Sequence, residues 1–415
     1  MRILLLVITL MQGSFVFAQG SVVKTISLEQ LIIYVLEKNP ELKNFDLESG
    51  AIAARIRQAG LTQPYNLTLE AGGFSGSGAY EGGGEQETTI SMAKVLELGG
   101  KPGLREDLAR YEGMLLQSEL DAKRLDVLST AGLAFIQIVE KQENIKILND
   151  KLEIVKKTYG MVKSRVRSGR GSMAEQQRIE AQLADAELEL LHTKHSLKAA
   201  RLQLATMWGE ARTDFGEAKA ELFLLKPVED FEVLLTRLED NPDLVALNTA
   251  ERLSASRINL ALSRRLPDIE LSGGVRTFAA TGEQSYFFSA SIPLGTGSRS
   301  RPFRDEARIR SHQAPINYQQ QRLALHAALF RVYQELIHAR DAVEIFRSRI
   351  VPLAQKSLDK YLSGYAQGRY SLFELSESQE SLLSARQRLL SSAANYHRYR
   401  IEIERLLGST IATGV

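Results

Sequence analysis

The chain has 415 residues, with 52 basic and 50 acidic side chains and a net charge of +2, so it carries no strong field for nucleic acid. Cysteine is absent, which excludes disulfides, thiolate metal sites and a cysteine nucleophile. The length allows two or three ordinary domains, or one body if its parts interdigitate.

Residues 1–18 read as a secretory signal peptide. Met1-Arg2 is a basic start, Ile3 to Leu10 an apolar run, and Val16-Phe17-Ala18 a small-residue cleavage site before Gln19. The competing reading is a membrane anchor, for which the run is too short and is broken by Gln12 and Gly13. No cysteine follows the cleavage site, which excludes lipidation there.

The mature chain opens with a capping box, Ser27 with Gln30, predicting a short helix to Glu37. Asn39-Pro40 starts a second helix, to Gly60. A strand pair follows within 61–95. Leu67 to Gly73 and Glu87 to Met92 alternate in polarity and are joined by the glycine-rich Ser75 to Gly84. Such alternation is the weak signature of transmembrane β-strands, and equally of soluble hairpins. A helical hairpin is predicted over 104–208. Ile145, Leu148, Leu152, Val155, Tyr159, Val162 and Val166 step by three and four; Gly169-Arg170-Gly171-Ser172 interrupts; Ile179, Leu183, Ala186 and Leu190 resume the pattern. Its first helix would be about 95 Å long, so the hairpin must project from any globular body.

Residues 214–240 link this first repeat (19–213) to a second (241–415), because the marks return in order. Asn39-Pro40-Glu41-Leu42 returns as Asn241-Pro242-Asp243-Leu244, and Leu69-Glu70-Ala71-Gly72-Gly73 as Leu271-Ser272-Gly273-Gly274. Gly169, Ser172 and Glu175 return as Gly368, Ser371 and Glu374, and Trp208-Gly209 as Leu407-Gly408. The offset drifts only from 202 to 199, so the chain is a duplicated half. The second half carries a helix from 241, a strand pair over 267–294 and a hairpin over 303–407. Pro315 and Pro352 are expected to kink or interrupt its first long helix. Leu188, Leu191 and Leu202 lie off the hairpin seam, as a wall packed on two sides requires.

After the leader no run of 18 apolar residues occurs, so a bilayer could be crossed only by strands. Four strands cannot close, since the smallest transmembrane barrels have about eight. Membrane insertion would therefore require other copies of the chain.

Leader, duplication, two strand pairs and two long hairpins together resemble the TolC family of outer-membrane efflux proteins, over essentially the whole mature chain, and within it the CzcC/CusC-like branch. The resemblance implies a mainly α fold with a small β part. Three protomers would each give four strands to a twelve-stranded β-barrel, and their coiled-coil hairpins would form a periplasmic α-barrel with a gated tip. It implies a passive exit duct, neither enzyme nor cofactor carrier. The duct would sit in the outer membrane and extend into the periplasm, serving a resistance-nodulation-division type inner-membrane pump through a periplasmic adaptor (membrane fusion protein). The alternative is a secreted coiled-coil structural or adhesive protein without a pore.

The resemblance also assigns residues. A family tyrosine three before the second turn glycine, bonded to a carboxylate six after the first, is matched by Tyr365 and Glu175. Carboxylates six and nine after the second glycine, lining the constriction, are matched by Glu374 and Glu377. Crowded around one axis in three chains, they would raise one another's pKa and attract cations. The gate arginine expected two after the glycine is not matched: Tyr370 stands there and Arg369 one earlier. Gly169, Ser172, Gly368 and Ser371 would present the tip to the adaptor. From the residues alone, the glycines are equally turn formers, the serines N-caps and the glutamates partners of a helix dipole.

Three other signals carry little. Gly169 to Ala174 matches a loose dinucleotide fingerprint but follows a helix. His192 and His195 lack a third metal ligand. Arg299, Arg301, Arg304, Arg308 and Arg310 could face lipid headgroups or simply solvent.

Overall fold

The computed structural model describes residues 23–409 apart from 74 and 214, so the expected signal peptide lies outside the described residues. In chain order, β1 (Val23–Ile26), α1 (Leu28–Lys38) and α2 (Pro40–Ala59) lead to β2 (Tyr65–Gly72) and β3 (Glu87–Leu96), then α3 (Lys101–Arg167) and α4 (Met173–Thr206). β4 (Phe215–Ala218) and α5 (Phe231–Arg237) connect to the second repeat. That repeat comprises α6 (Pro242–Ser263), β5 (Ile269–Phe278), β6 (Gln284–Ser291), the single turn α7 (Thr296–Arg299), α8 (Arg301–Ile345), α9 (Val351–Ala366) and α10 (Leu372–Leu406).

These elements form three stacked rows. The sheet is β2-β3-β5-β6, antiparallel throughout. Below it the helices pack in the order α2-α3-α6-α8, and further down α4-α3-α10-α9. Helix α3, with 67 residues and a length of about 100 Å, belongs to both helical rows. Each row starts with an element of the first repeat and ends with one of the second.

The second long rod treats its two prolines differently. Pro315 does not interrupt α8, which runs unbroken from Arg301 to Ile345. Pro352 follows a π-helical turn, Phe346–Ile350. Proline lacks an N–H and crowds the carbonyl four residues back, and the wider π turn relieves that clash.

The repeated Asn-Pro motif joins the two helical rows. Asn39 Oδ1 accepts from the N–H groups of Glu41 and Leu42 at 2.8 and 3.0 Å, capping α2. Its Nδ2 donates to the Met207 carbonyl at the end of α4, at 2.6 Å. Asn241 does the same with Asp243 and Leu244 (2.8 and 3.3 Å) and donates to the Leu406 carbonyl at the end of α10, at 2.7 Å. One buried amide thus closes a helix going up and a helix coming down. Gly408, at φ +69°, lies against Pro242 so closely that an added Cβ would sit 2.8 Å from its Cδ.

The main core surrounds this level, where Leu31, Val35, Phe135, Ile136, Leu204 and Trp208 are buried. The segment after β4 is strapped across it. Gln142 donates to and accepts from the Ala218 backbone (2.7 and 3.0 Å), the Tyr396 hydroxyl donates to the Lys226 carbonyl (2.6 Å), and Arg347 donates to the Phe223 carbonyl. The fully buried His397 ring contacts the Leu222 carbonyl at 3.0 Å through Nε2. Burial, with Arg400 and Lys226 nearby, lowers the His397 pKa from 6.5 to about 4.

Two outcomes follow. Asn241→Ala should lower stability by about 1–2 kcal/mol, read from the shift in thermal unfolding followed by circular dichroism. For His397 the unfolded chain binds the proton first. Stability is therefore intact above pH 6.5 and should fall by up to about 3 kcal/mol as pH drops towards 4. His397→Gln should abolish that part of the acid sensitivity in unfolding titrations; an unchanged slope would exclude His397 as its source.

Candidate functional site

The sheet has two chemically distinct faces. The cross-strand register places Tyr65, Leu67 and Leu69 beside Ile90 and Met92, then Leu271 and Val275, then Tyr286 and Phe288. These side chains form one apolar face, and most of them are exposed. The other face carries Asn66, Thr68 and Glu70, Thr89 and Ser91, Ser272 and Arg276, Ser285 and Ser289. On it Arg276 pairs with Glu87 at 3.2 Å and Ser272 bonds to Ser289 at 2.7 Å. Among the described residues nothing pairs with the outer sides of β2 and β6. Among the described residues no helix is long and apolar enough to cross a membrane.

At the far end of the molecule the two hairpin turns are built alike. Arg170 N–H donates to the Arg165 carbonyl (2.8 Å) and Gly169 N–H to that of Val166 (3.0 Å). Arg369 to Gly364 (2.9 Å) and Gly368 to Tyr365 (3.0 Å) repeat the pair. The glycines take φ of 70° and 76°, as this helix-ending motif requires. Each return helix then starts in a capping box. Ser172 N–H donates to Glu175 Oε2 (3.0 Å) and Glu175 N–H to Ser172 Oγ (3.1 Å). Ser371 and Glu374 form the same box at 2.8 and 3.3 Å. Gly169, Ser172, Gly368 and Ser371 are therefore first of all the builders of two self-satisfied turns, and they lie on the exposed end.

Tyr365 and Glu175 come close without bonding. Tyr365 is 1% exposed and its hydroxyl has no partner, while the Glu175 carboxylate is engaged by its cap. Burial first, then the Glu175 charge, raises the Tyr365 pKa. The Arg369 side chain donates to Gln367 in its own turn and to no other described residue. Where the arginine was expected, the Tyr370 ring lies 4.6 Å from that of Tyr361 and covers Gly364, leaving no room for a Cβ there.

At the tips, Arg165 ties the two hairpin turns together. Its Nη1 donates to the Tyr365 carbonyl (2.6 Å), its Nη2 to the Arg170 carbonyl (3.3 Å), and its guanidinium stacks 4.6 Å from the Tyr365 ring centre. The duplication hid it, because the equivalent position in the second hairpin is Gly364. Beneath these groups Val155, Val162, Ile179, Leu358, Leu372 and Leu375 form one buried cluster across both hairpins.

Glu374 accepts from the N–H and hydroxyl of Ser371, which hold its carboxyl below the usual range. Glu377 lies exposed nearly one turn further along α10. Within the protomer, then, Ser371 lowers the Glu374 pKa, the opposite direction from that expected of crowded carboxylates. His192 and His195 are exposed on α4, and among the described residues no group of three potential metal ligands gathers.

A two-faced sheet continued by long paired helices defines an outer-membrane channel fold. The profile of the family described as Outer membrane efflux protein matches residues 31–210 and 234–409, and the chain belongs to that family. It is similar to the cobalt-zinc-cadmium resistance protein CzcC of Cupriavidus metallidurans, 26% identical over 322 residues covering 77% of each chain. It also resembles the cation efflux system protein CusC of Escherichia coli K12, 22% identical over 403 residues, 91% of this chain and 84% of that one. Among solved structures, the outer membrane protein VceC of Vibrio cholerae superposes with a TM-score of 0.74 at 18% identity, covering 92% of this chain and 96% of that one.

The Tyr365 hydroxyl and Arg165 can be separated by experiment. Tyr365→Phe removes an unpartnered hydroxyl and should leave amide exchange at both turns unchanged. Arg165→Ala should increase exchange around 165–170 and 365–369 together; equal protection in both variants would show that Arg165 does not hold the tip.

Proposed function

We propose that three copies of this chain close into a passive exit duct through the outer membrane. The observation that carries this reading is the sheet, with one apolar face, one polar face and two unpaired margins. The helical margins agree with it. On α8, Ile309, Ile316, Leu323 and Phe330 recur every seventh residue and are exposed, at 63, 63, 62 and 48%. Leu47 on α2, and Leu188, Leu191 and Leu202 on α4, are exposed on the opposite margins. A first margin meeting the last margin of the next copy is a head-to-tail contact, which ends only by closing a ring.

In this reading the helices extend into the periplasm and their tip meets an adaptor that couples the duct to a resistance-nodulation-division type pump. Met173, Tyr370 and Phe373 are exposed at that tip and supply an apolar patch beside the turn serines. The segment 214–240 girdles the middle, and Tyr365 with Glu175 marks the closed end, now held through Arg165. Glu374 and Glu377 would line the entrance. The names of CzcC and CusC make metal cations the favoured cargo, which suits an entrance of carboxylates and a duct that binds nothing tightly.

Two outcomes test it. Ile316→Glu with Leu323→Glu should convert the trimer to monomers on native gels; persistence of the trimer would remove the stripe from the interface. Glu374→Gln with Glu377→Gln should lower cation preference in planar bilayers, and an unaltered reversal potential would contradict the entrance assignment.

A further inference from the structure

In the row furthest from the sheet, α4 and α9 stand at opposite ends, with α3 and α10 between them. Each of these end helices carries a patterned stripe that stays exposed in the protomer. On α4, Gln177, Ala181, Ala184, Leu188, Leu191 and His195 step by four and three, on the side away from the buried Ile179, Ala186, Leu190 and Leu197. On the other margin Arg349, Leu353, Lys356, Lys360, Ser363 and Gln367 step in the same rhythm and are exposed too. Each stripe has the spacing of a coiled-coil seam without its second helix.

The two margins match in charge as well as in spacing. From the tip upward, α4 carries Glu180 and Glu187 and then, on the same flank, Lys194 and Lys198. The opposite margin carries Lys360 and Lys356 first, and then Glu344 and Asp341. The sign reverses on both, at the same height. Arg165 holds the two turns side by side, so heights can be counted from Ser172 and Gly368. Lys360 lies 8 residues before Gly368 and Glu180 8 after Ser172. Glu344 is 24 before and Lys194 22 after; Asp341 is 27 before and Lys198 26 after. Lys356, 12 before, falls between Glu180 and Glu187, and Arg349, 19 before, lies one turn above Glu187.

Most of these charges are unused within the protomer. Among the described residues the side chains of Glu187, Lys194, Lys198, Glu344, Lys356 and Lys360 make no hydrogen bond or ion pair. Glu180 accepts from Tyr159 and Gln176 (3.0 and 3.3 Å), and Asp341 pairs with Arg340 (2.9 Å). Neighbouring charges are held internally: Glu189 by Lys151 (2.8 Å), Asp359 by Gln355 (3.1 Å), and Arg178 over the Phe373 ring (5.2 Å). Asp185 lines the cavity that also holds Lys151.

We infer that α4 of one copy and the α8–α9 rod of the next form a coiled coil whose vertical register is set by charge. Lys356 and Lys360 meet Glu180 and Glu187 below, and Asp341 and Glu344 meet Lys198 and Lys194 above. Leu353 packs between them on Leu188 and Leu191, and the small Ala181 and Ala184 leave space for the two lysine stems. Exposed ion pairs add little affinity, but along a coiled coil they select partner and alignment. Sliding the rod down by one heptad sets Glu344 beside Glu187; sliding it up by one leaves Lys194 and Lys198 without carboxylates. The inference rests on the three-copy duct and adds how its copies are aligned.

Disulfide trapping of the full-length protein in membranes tests it. Within a protomer α4 and α9 are three helix spacings apart, roughly 27 Å, so a disulfide between them must join two copies. Leu188→Cys with Leu353→Cys should give a ladder ending at three chains, and Leu188→Cys with Ile345→Cys, one heptad out of register, should not. Adding Lys356→Glu and Lys360→Glu to the first pair should slow its cross-linking about fivefold. Adding Glu180→Lys and Glu187→Lys as well should restore the rate. A ladder from the Ile345 pair instead, an unchanged rate in the lysine-reversed variant, or no recovery on full reversal would overturn the register. Ladders from cysteine pairs along β2 and β6 without one from Leu188 and Leu353 refute the seam and leave the ring standing; no ladder from any pair refutes the ring itself.

Discussion

Peptide N–H and C=O groups at the margin of a sheet cannot be left bare in hydrocarbon, because nothing there can bond to them. β2 and β6 present two such margins on a sheet with one apolar and one polar face. Among the described residues nothing pairs with either margin. The proposed assembly follows from that deficit. Copies that join β6 to β2 also bring the α8 stripe to the α2 margin and α9 to α4, so all three rows would close by a single operation.

Duplication makes this economical. Each half supplies a strand pair, a short upper helix and a hairpin, and each half locks its own two levels with one asparagine. Asn39 and Asn241 satisfy two orphan N–H groups of one helix and a terminal carbonyl of another. The halves diverge where the assembly needs asymmetry. Arg165 of the first hairpin has Gly364 as its counterpart in the second and donates to the neighbouring Tyr365 carbonyl, so the contact between tips is one-sided.

Much of the fold was legible because it depends on local rules. Heptad spacing read out the hairpins, glycine and serine spacing read out the turns, and two-residue alternation read out the strands. The N-caps at Ser172 and Ser371 were read from a serine at the head of each return helix, while the capping boxes that Glu175 and Glu374 complete were not. The π turn before Pro352 was not legible, since its sequence is ordinary and only the proline hints at strain. The site was read less well. The resemblance set Tyr365 beside Glu175, but it could not show that the Glu175 carboxylate is consumed by its own helix end. Arg165 was missed because its role depends on a contact 200 positions away in the chain, which no local pattern encodes.

Cysteine is absent from the native chain, which makes one measurement unambiguous. Within a protomer β2 and β6 are separated by two strands, roughly 14 Å, beyond the reach of a disulfide. Single cysteines placed along both strands, such as Asn66→Cys with Ser289→Cys, should on oxidation in membranes give a covalent ladder that ends at three chains. Recovery of uncrosslinked single chains from every pair along the two strands would contradict the closed ring.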